Sequence, residues 1–154
     1  MARQKLLLDT NIIIDFMLHR EPHFEITRLL MLCGRVGEFS LWVTSSQVTD
    51  IIYIVTDGGM KSKIPETLEK LSAMRAFVNV QAVTDADIDK MLASSWSDPE
   101  GGLLIEIALK MRADAIITRN KDFPTTDLIR VQNCSEFFEW LKNEKSISYD
   151  DVPV

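Results

Sequence analysis

The 154 residues carry 17 Lys and Arg against 23 Asp and Glu, a formal charge of −6, with 46% hydrophobic and 26% charged residues. That length suits one domain and buries roughly two-thirds of the unfolded surface, so a core forms without disulfides or structural metal. The composition excludes disordered, collagen-like and coiled-coil chains, and no apolar run approaches the roughly 20 residues of a membrane span. An acidic chain is a poor passive nucleic-acid binder, because neutralising phosphates takes a Lys/Arg surface. A cluster of metal-binding carboxylates would itself make a chain acidic, so the charge argues against a repressor more than against a metal-dependent enzyme. Cys33 and Cys134 fit neither a metal-ligand spacing nor a disulfide framework and read as core fillers. The N-terminus runs straight into a strand-length apolar run, not a signal-peptide core, and the expected location is the cytoplasm.

Leu6-Leu7-Leu8 reads as a buried strand, continuously apolar as in a parallel sheet covered on both faces. A helix follows from Asn11 to Leu18, with Thr10 or Asn11 as its cap. Pro22 opens a second helix with an apolar stripe at Phe24, Leu29, Leu30 and Cys33, ended by Gly34 and Gly37. Phe39 to Val43 is a second strand, and Ser45 and Ser46 cap a helix running to about Thr56 and stopped by Gly58-Gly59. Ile64 to Met74 is a helix, Phe77 to Val80 a strand, and Thr84-Asp85-Ala86-Asp87 the N-terminal signature of a helix through Leu92. Asp98-Pro99-Glu100-Gly101-Gly102 leads into a long apolar helix, Leu103 to Met111. Ala115-Ile116-Ile117 is a strand, Ile129 to Val131 a last short one, and Ser135 to Asn143 the final helix. Residues 1–145 are expected as a single domain, and 146–154 as a loose polar tail.

Strands alternate with helices from end to end, which predicts a three-layer α/β/α domain on a mostly parallel sheet of four or five strands. The first strand is expected near the middle. Ligands of such sheets lie beyond the carboxyl ends of the strands, where the strand order switches. The oxygen-bearing residues just after the strands are Asp9, Asp50, Asn120 and Asp122, with Asp98 and Glu100 before the long helix. Hard cations such as Mg²⁺ and Mn²⁺ take such ligands, and metal ions can activate water and stabilise a leaving oxygen in phosphodiester hydrolysis.

The local sequence around these residues resembles one family. Leu6-Leu7-Leu8-Asp9-Thr10-Asn11, Val43-Thr44-Ser45-Ser46-Gln47-Val48-Thr49-Asp50, Asp98-Pro99-Glu100-Gly101-Gly102 and Thr118-Arg119-Asn120-Lys121-Asp122-Phe123 resemble, in order and spacing, the acidic segments of the PIN-domain ribonucleases. The likeness spans about residues 5 to 140. It implies a Mg²⁺- or Mn²⁺-dependent endoribonuclease of RNA, often the toxin of a toxin–antitoxin pair, leaving 5′-phosphate and 3′-hydroxyl ends. On this likeness Asp9, Asp50, Asp98, Asn120 and Asp122 are the metal-ligand candidates. Asp9, Asp50, Asp98, Glu100 and Asp122 are the catalytic candidates, with Thr10, Asn11 and Thr118 in support. Asp50 stands where the family usually has Glu, and Asn120 is a common variant. Gly101 departs further, since relatives carry a catalytic Asp there. Two readings follow: an enzyme in which Asp98 or Glu100 replaces that carboxylate, or a catalytically degenerate RNA- or protein-binding module. Related domains commonly pair, so a homodimer is expected, and an antitoxin would reach the acidic pocket with an Arg. Outside the site, Glu106 with Lys110 four residues on reads as a solvated face. Asp15 reads as a surface or supporting residue, and Trp96 as core or a lip on the cleft.

Overall fold

The computed structural model describes residues 2–152; Met1 and the last two residues of the expected tail lie outside the described residues. Five strands, β1 (Gln4–Leu8), β2 (Phe39–Thr44), β3 (Val78–Gln81), β4 (Ala115–Ile117) and β5 (Arg130–Gln132), form one sheet in the order β3-β2-β1-β4-β5. Every pairing is parallel, and β1 lies at the centre between β2 and β4. The helices are α1 (Thr10–Met17), α2 (Phe24–Arg35), α3 (Val48–Val55), α4 (Ile64–Met74), α5 (Asp85–Ala93), α6 (Pro99–Lys110) and α7 (Cys134–Lys145).

The pleat sorts the core into two layers, because successive side chains of a strand point to opposite faces. Leu6 and Leu8 of β1, with Ala115 and Ile117 of β4, pack among apolar residues of α1, α2, α3, α4 and α7. Leu7 and Ile116 point the other way, into a cluster built on α6 and closed by Met91 of α5. Three apolar residues in a row are therefore what a central strand covered on both faces needs, and the three-layer α/β/α architecture is the observed one. The chain steps from β1 to β2 to β3 through α1 to α4 on one face, and α5 and α6 return it across the other to β4.

Several local readings shift. Helix α2 continues through Gly34 to Arg35, because a Cβ at Gly34 would lie 2.3 Å from Cδ1 of Leu41. The glycine lets the helix approach β2 closely, and the turn itself falls at Gly37, φ +88°. Ser45–Gln47 is a single 3₁₀ turn before α3, with the Thr44 N–H donating to Gln47 Oε1 at 2.7 Å. The long helix starts at Pro99, so Glu100, Gly101 and Gly102 belong to its first turn. The segment from 146 to 152 is docked rather than loose: Ile147, Tyr149 and Val152 pack on the core. Tyr149 sets its ring edge-on to Phe39 and Phe138, at 6.0 and 5.6 Å between centroids. Three apolar side chains among polar neighbours suffice to hold it. Cys33 and Cys134 are free and buried.

Candidate active site

The strand order departs in opposite directions from β1, to β2 on one side and β4 on the other, and the loops after β1 and β4 part there. Register places Leu8 opposite Ile117, and the Asp9 N–H donates to the Ile117 carbonyl at 2.8 Å. Asp9 and Thr118 are thereby set side by side. Asp9 itself caps α1, in place of the expected Thr10 or Asn11, because its extended backbone turns the carboxylate onto the Thr10 N–H at 2.7 Å. Its second oxygen accepts from Thr118 Oγ1 at 2.7 Å and from Asn11 Nδ2 at 3.3 Å. Thr118 Oγ1 in turn accepts from the Asn120 N–H at 3.1 Å. Asn11 Oδ1 accepts from the Arg119 N–H at 3.3 Å. Beneath them Gln47, buried, donates to the Leu8 carbonyl at 2.9 Å and to Thr10 Oγ1 at 3.2 Å. Burial raises the Asp9 pKa above the ordinary carboxylate value, opposed by the Thr118 and Thr10 hydrogen bonds, while Asp98 raises it and Arg119 lowers it through their charges.

Asp9 lies in a cleft of about 490 Å³ that also takes in Asp98, Glu100 and Gly101 from the start of α6. Asp98 caps α6 ahead of Pro99, and its Oδ1 accepts from the Gly101 N–H at 3.2 Å. The Glu100 pKa is raised by burial first, then by the charges of Asp9, Asp50 and Asp98. The charges of three other carboxylates thus bear on Glu100 at this end of the sheet. Asp50 contributes from the exposed first turn of α3. Asn120 lines the cleft, and its Oδ1 accepts from the Asp122 N–H at 3.0 Å. The Asp122 side chain is exposed and stands apart from the cleft-lining residues. Three basic residues, Arg20, Arg119 and Lys121, line the same cleft.

Gly101 is not merely a position without a carboxylate. A Cβ there would lie 2.5 Å from Cδ and 3.0 Å from Cγ of Pro124, and 2.8 Å from Asp98 Oδ2. The proline ring and the capping carboxylate occupy the room a side chain would need.

Outside the motif, two open readings are narrowed, Asp15 to its supporting role and Trp96 to the core, and one, Glu106 with Lys110, is corrected. Asp15 is fully buried and bound in fork geometry by Arg119, Nε to Oδ2 at 2.6 Å and Nη2 to Oδ1 at 3.0 Å. Glu106 is buried rather than solvated, because it faces the turn after α5. Its Oε1 accepts from Ser94 Oγ at 2.8 Å and Trp96 Nε1 at 3.0 Å, while Oε2 has no partner. Lys110 pairs instead with Asp87 at 2.8 Å. Trp96 lies flat against Gly102, whose Cβ would meet its ring at 2.2 Å, and packs into the α6 cluster instead of standing as a lip on the cleft. Sequence reading missed the parts played by Gln47 and Pro124 and the basic residues of the cleft. Arg119 and Lys121 stand inside the quoted Thr118-to-Phe123 motif, which was the available signal.

Among the described residues, no group of three acidic, His or Cys side chains forms a ready-made metal cage. A small divalent cation does not need one, since Mg²⁺ is commonly held by one or two carboxylates with water and substrate phosphate. Hard oxygen donors that mutually repel around Glu100 fit such an ion. No helix among the described residues is long and apolar enough to cross a membrane.

The five-stranded parallel sheet, covered by helices on both faces and carrying an acidic cleft beyond its central strand, defines a doubly wound α/β protein with its site at the switch point. A family profile for the PIN domain matches residues 5–122, well over half the chain, and the protein belongs to the PIN-domain family, a nuclease-type fold. No curated protein matches the sequence.

Proposed function

We propose that the chain is a Mg²⁺- or Mn²⁺-dependent endoribonuclease cutting single-stranded RNA in the cytoplasm. The observation that carries this reading is the meeting of Asp9, Asp98 and Glu100 in one cleft at the switch point, with Asp50 within electrostatic reach of Glu100. Asp9 and Asp98, with Asn120 of the same cleft, would hold the ion, and Asp50 and Asp122 complete the proposed set of metal-binding residues. When bound, the ion supplies positive charge to a phosphate oxygen and makes a water easier to deprotonate. Asp9 is oriented for its part by three donors, from Thr10, Asn11 and Thr118. Thr118 fixes the carboxylate that it touches and ties it to the Asn120 turn. Glu100, with its raised pKa, is the group to accept a proton from the attacking water. It stands in for the carboxylate that Gly101 lacks.

The proposed assembly is a two-fold homodimer, which sets two acidic clefts along one strand of RNA, and the proposed controlling partner is an antitoxin whose Arg enters the cleft. Incubating a labelled single-stranded RNA with Mg²⁺ or with EDTA tests the activity. The reading predicts metal-dependent fragments with 5′-phosphate ends, lost in Asp9→Asn. Absence of cleavage by the unmodified protein, or cleavage that persists in both EDTA and Asp9→Asn, contradicts it.

A further inference from the structure

We propose that Arg119 is the residue through which the cleft grips a backbone phosphate of the substrate strand, next to the bond being cut. The inference rests on the nuclease reading and adds a binding residue to it. Two of the three guanidinium nitrogens of Arg119 are committed to Asp15, which is fully buried in α1. Among the described residues the third, Nη1, makes no hydrogen bond, and the side chain is 33% exposed on the cleft. The backbone N–H of the same residue is tied to Asn11 Oδ1, so main chain and side chain are both held in place.

Stability is a poor account of this arrangement. Burying an ion pair costs desolvation that offsets most of its attraction, and an apolar pair of similar volume commonly does as well. What a buried Asp15 supplies is a guanidinium with one fixed plane, one free edge and little rotamer entropy left to lose. Arg119 lines the cleft together with Asp9, the carboxylate at the switch point, whose charge it feels. A phosphodiester accepts hydrogen bonds through two non-bridging oxygens, and a fixed, charged donor is the group that positions it. Arg20 and Lys121 line the same cleft and are exposed, so they add charge without a set direction. In a chain of net charge −6, this anchored cation gives the cleft a preset contact for an anionic strand.

The fork is essential to the idea. A lysine at 119 would place its compact charge on Asp15 and have no second edge for a phosphate. The experiment measures binding of a short fluorescent single-stranded RNA by anisotropy, in EDTA so that nothing is cut, across a series of KCl concentrations. Arg119→Lys is predicted to lose roughly tenfold or more in affinity. Its slope of log K against log salt should fall by about 0.7, the value of one lost phosphate contact on a single strand. Arg119→Ala combined with Asp15→Asn, which avoids stranding a buried charge, should do the same. Lys90→Ala, on α5 away from the cleft, should change neither. Unchanged affinity in Arg119→Lys, or lost affinity at an unchanged salt slope, overturns the proposal. If the unmodified chain cleaves RNA while Arg119→Lys binds as it does, this inference falls and the nuclease reading stands; if the unmodified chain neither binds nor cleaves, both fall.

Discussion

Gly101→Asp supplies the carboxylate that the likeness to the family led one to expect at this position, yet the structure leaves no room for it. The new Cβ would sit 2.5 Å from Pro124 Cδ and 2.8 Å from Asp98 Oδ2, well inside ordinary contact. Forcing extra atoms into a packed site costs about 1–3 kcal/mol. Displacing Asp98 from the Gly101 N–H also forfeits a helix cap, typically worth about 1 kcal/mol. Replacing a helical glycine returns a few tenths of a kcal/mol, roughly 0.5. The net is a loss of about 2.5 kcal/mol, or roughly 5–10 °C in melting temperature for a domain of this size. Pro124→Ala removes the two offending ring carbons, so Gly101→Asp with Pro124→Ala should recover more than half of the loss relative to Pro124→Ala alone. The double variant should also bind Mn²⁺ more tightly than the unmodified chain, having one more carboxylate in the cleft. Thermal melts followed by circular dichroism decide the matter. A single Gly101→Asp variant that melts with the unmodified protein, or a double variant that shows no recovery, refutes the argument that Pro124 fills the place of the missing side chain.

Other outcomes follow from the same geometry. Asp9→Asn should melt no lower than the unmodified protein at neutral pH, because burial works against the charged carboxyl. With its folded pKa raised, the stability contributed by the protonated Asp9 is fully present below the ordinary carboxylate range. That contribution is lost as pH rises through the raised folded value, and Asp9→Asn should lack this part of the pH dependence in acid melts. Glu106→Ala should lower stability by about 2 kcal/mol and shift Trp96 emission to the red, since Ser94 and Trp96 lose a shared acceptor; unchanged fluorescence would contradict the contact. Burial pushes the Cys33 thiol up to about 11 and the Cys134 thiol up to about 12, so the folded protein should resist a thiol-specific disulfide reagent at pH 8 and react fully once unfolded.

The order of elements was legible because the central strands announce themselves by what a doubly covered sheet requires. Leu6-Leu7-Leu8 and Ala115-Ile116-Ile117 have no polar face, and helices separate them from their neighbours. The placing of Asp9 beyond β1 followed from that. Boundaries were harder where side chains act at a distance. Nothing local shows that Gly34 lies within α2 until Leu41 is seen across from it, or that Tyr149 has Phe39 and Phe138 to pack on. The site shows the same division. Acids following strands can be picked out by eye, but Arg119 is 104 residues from its partner Asp15, and Pro124 meets Gly101 only through the loop that follows β4. The i,i+4 spacing of Glu106 and Lys110 suggested a surface pair, and the turn after α5 claimed the glutamate instead. Pairings set by the fold, not by spacing, were the ones the chain order concealed.

The claim on which the rest depends is that the acidic half of this cleft holds a divalent ion through Asp9. Titrating Mn²⁺ into the protein while following the paramagnetic resonance of the free ion measures this without any substrate. The account predicts saturable binding near neutral pH that is weakened at least tenfold in Asp9→Asn and is left intact in Lys90→Ala. Binding that is absent from the unmodified protein, or indifferent to Asp9→Asn, would contradict it.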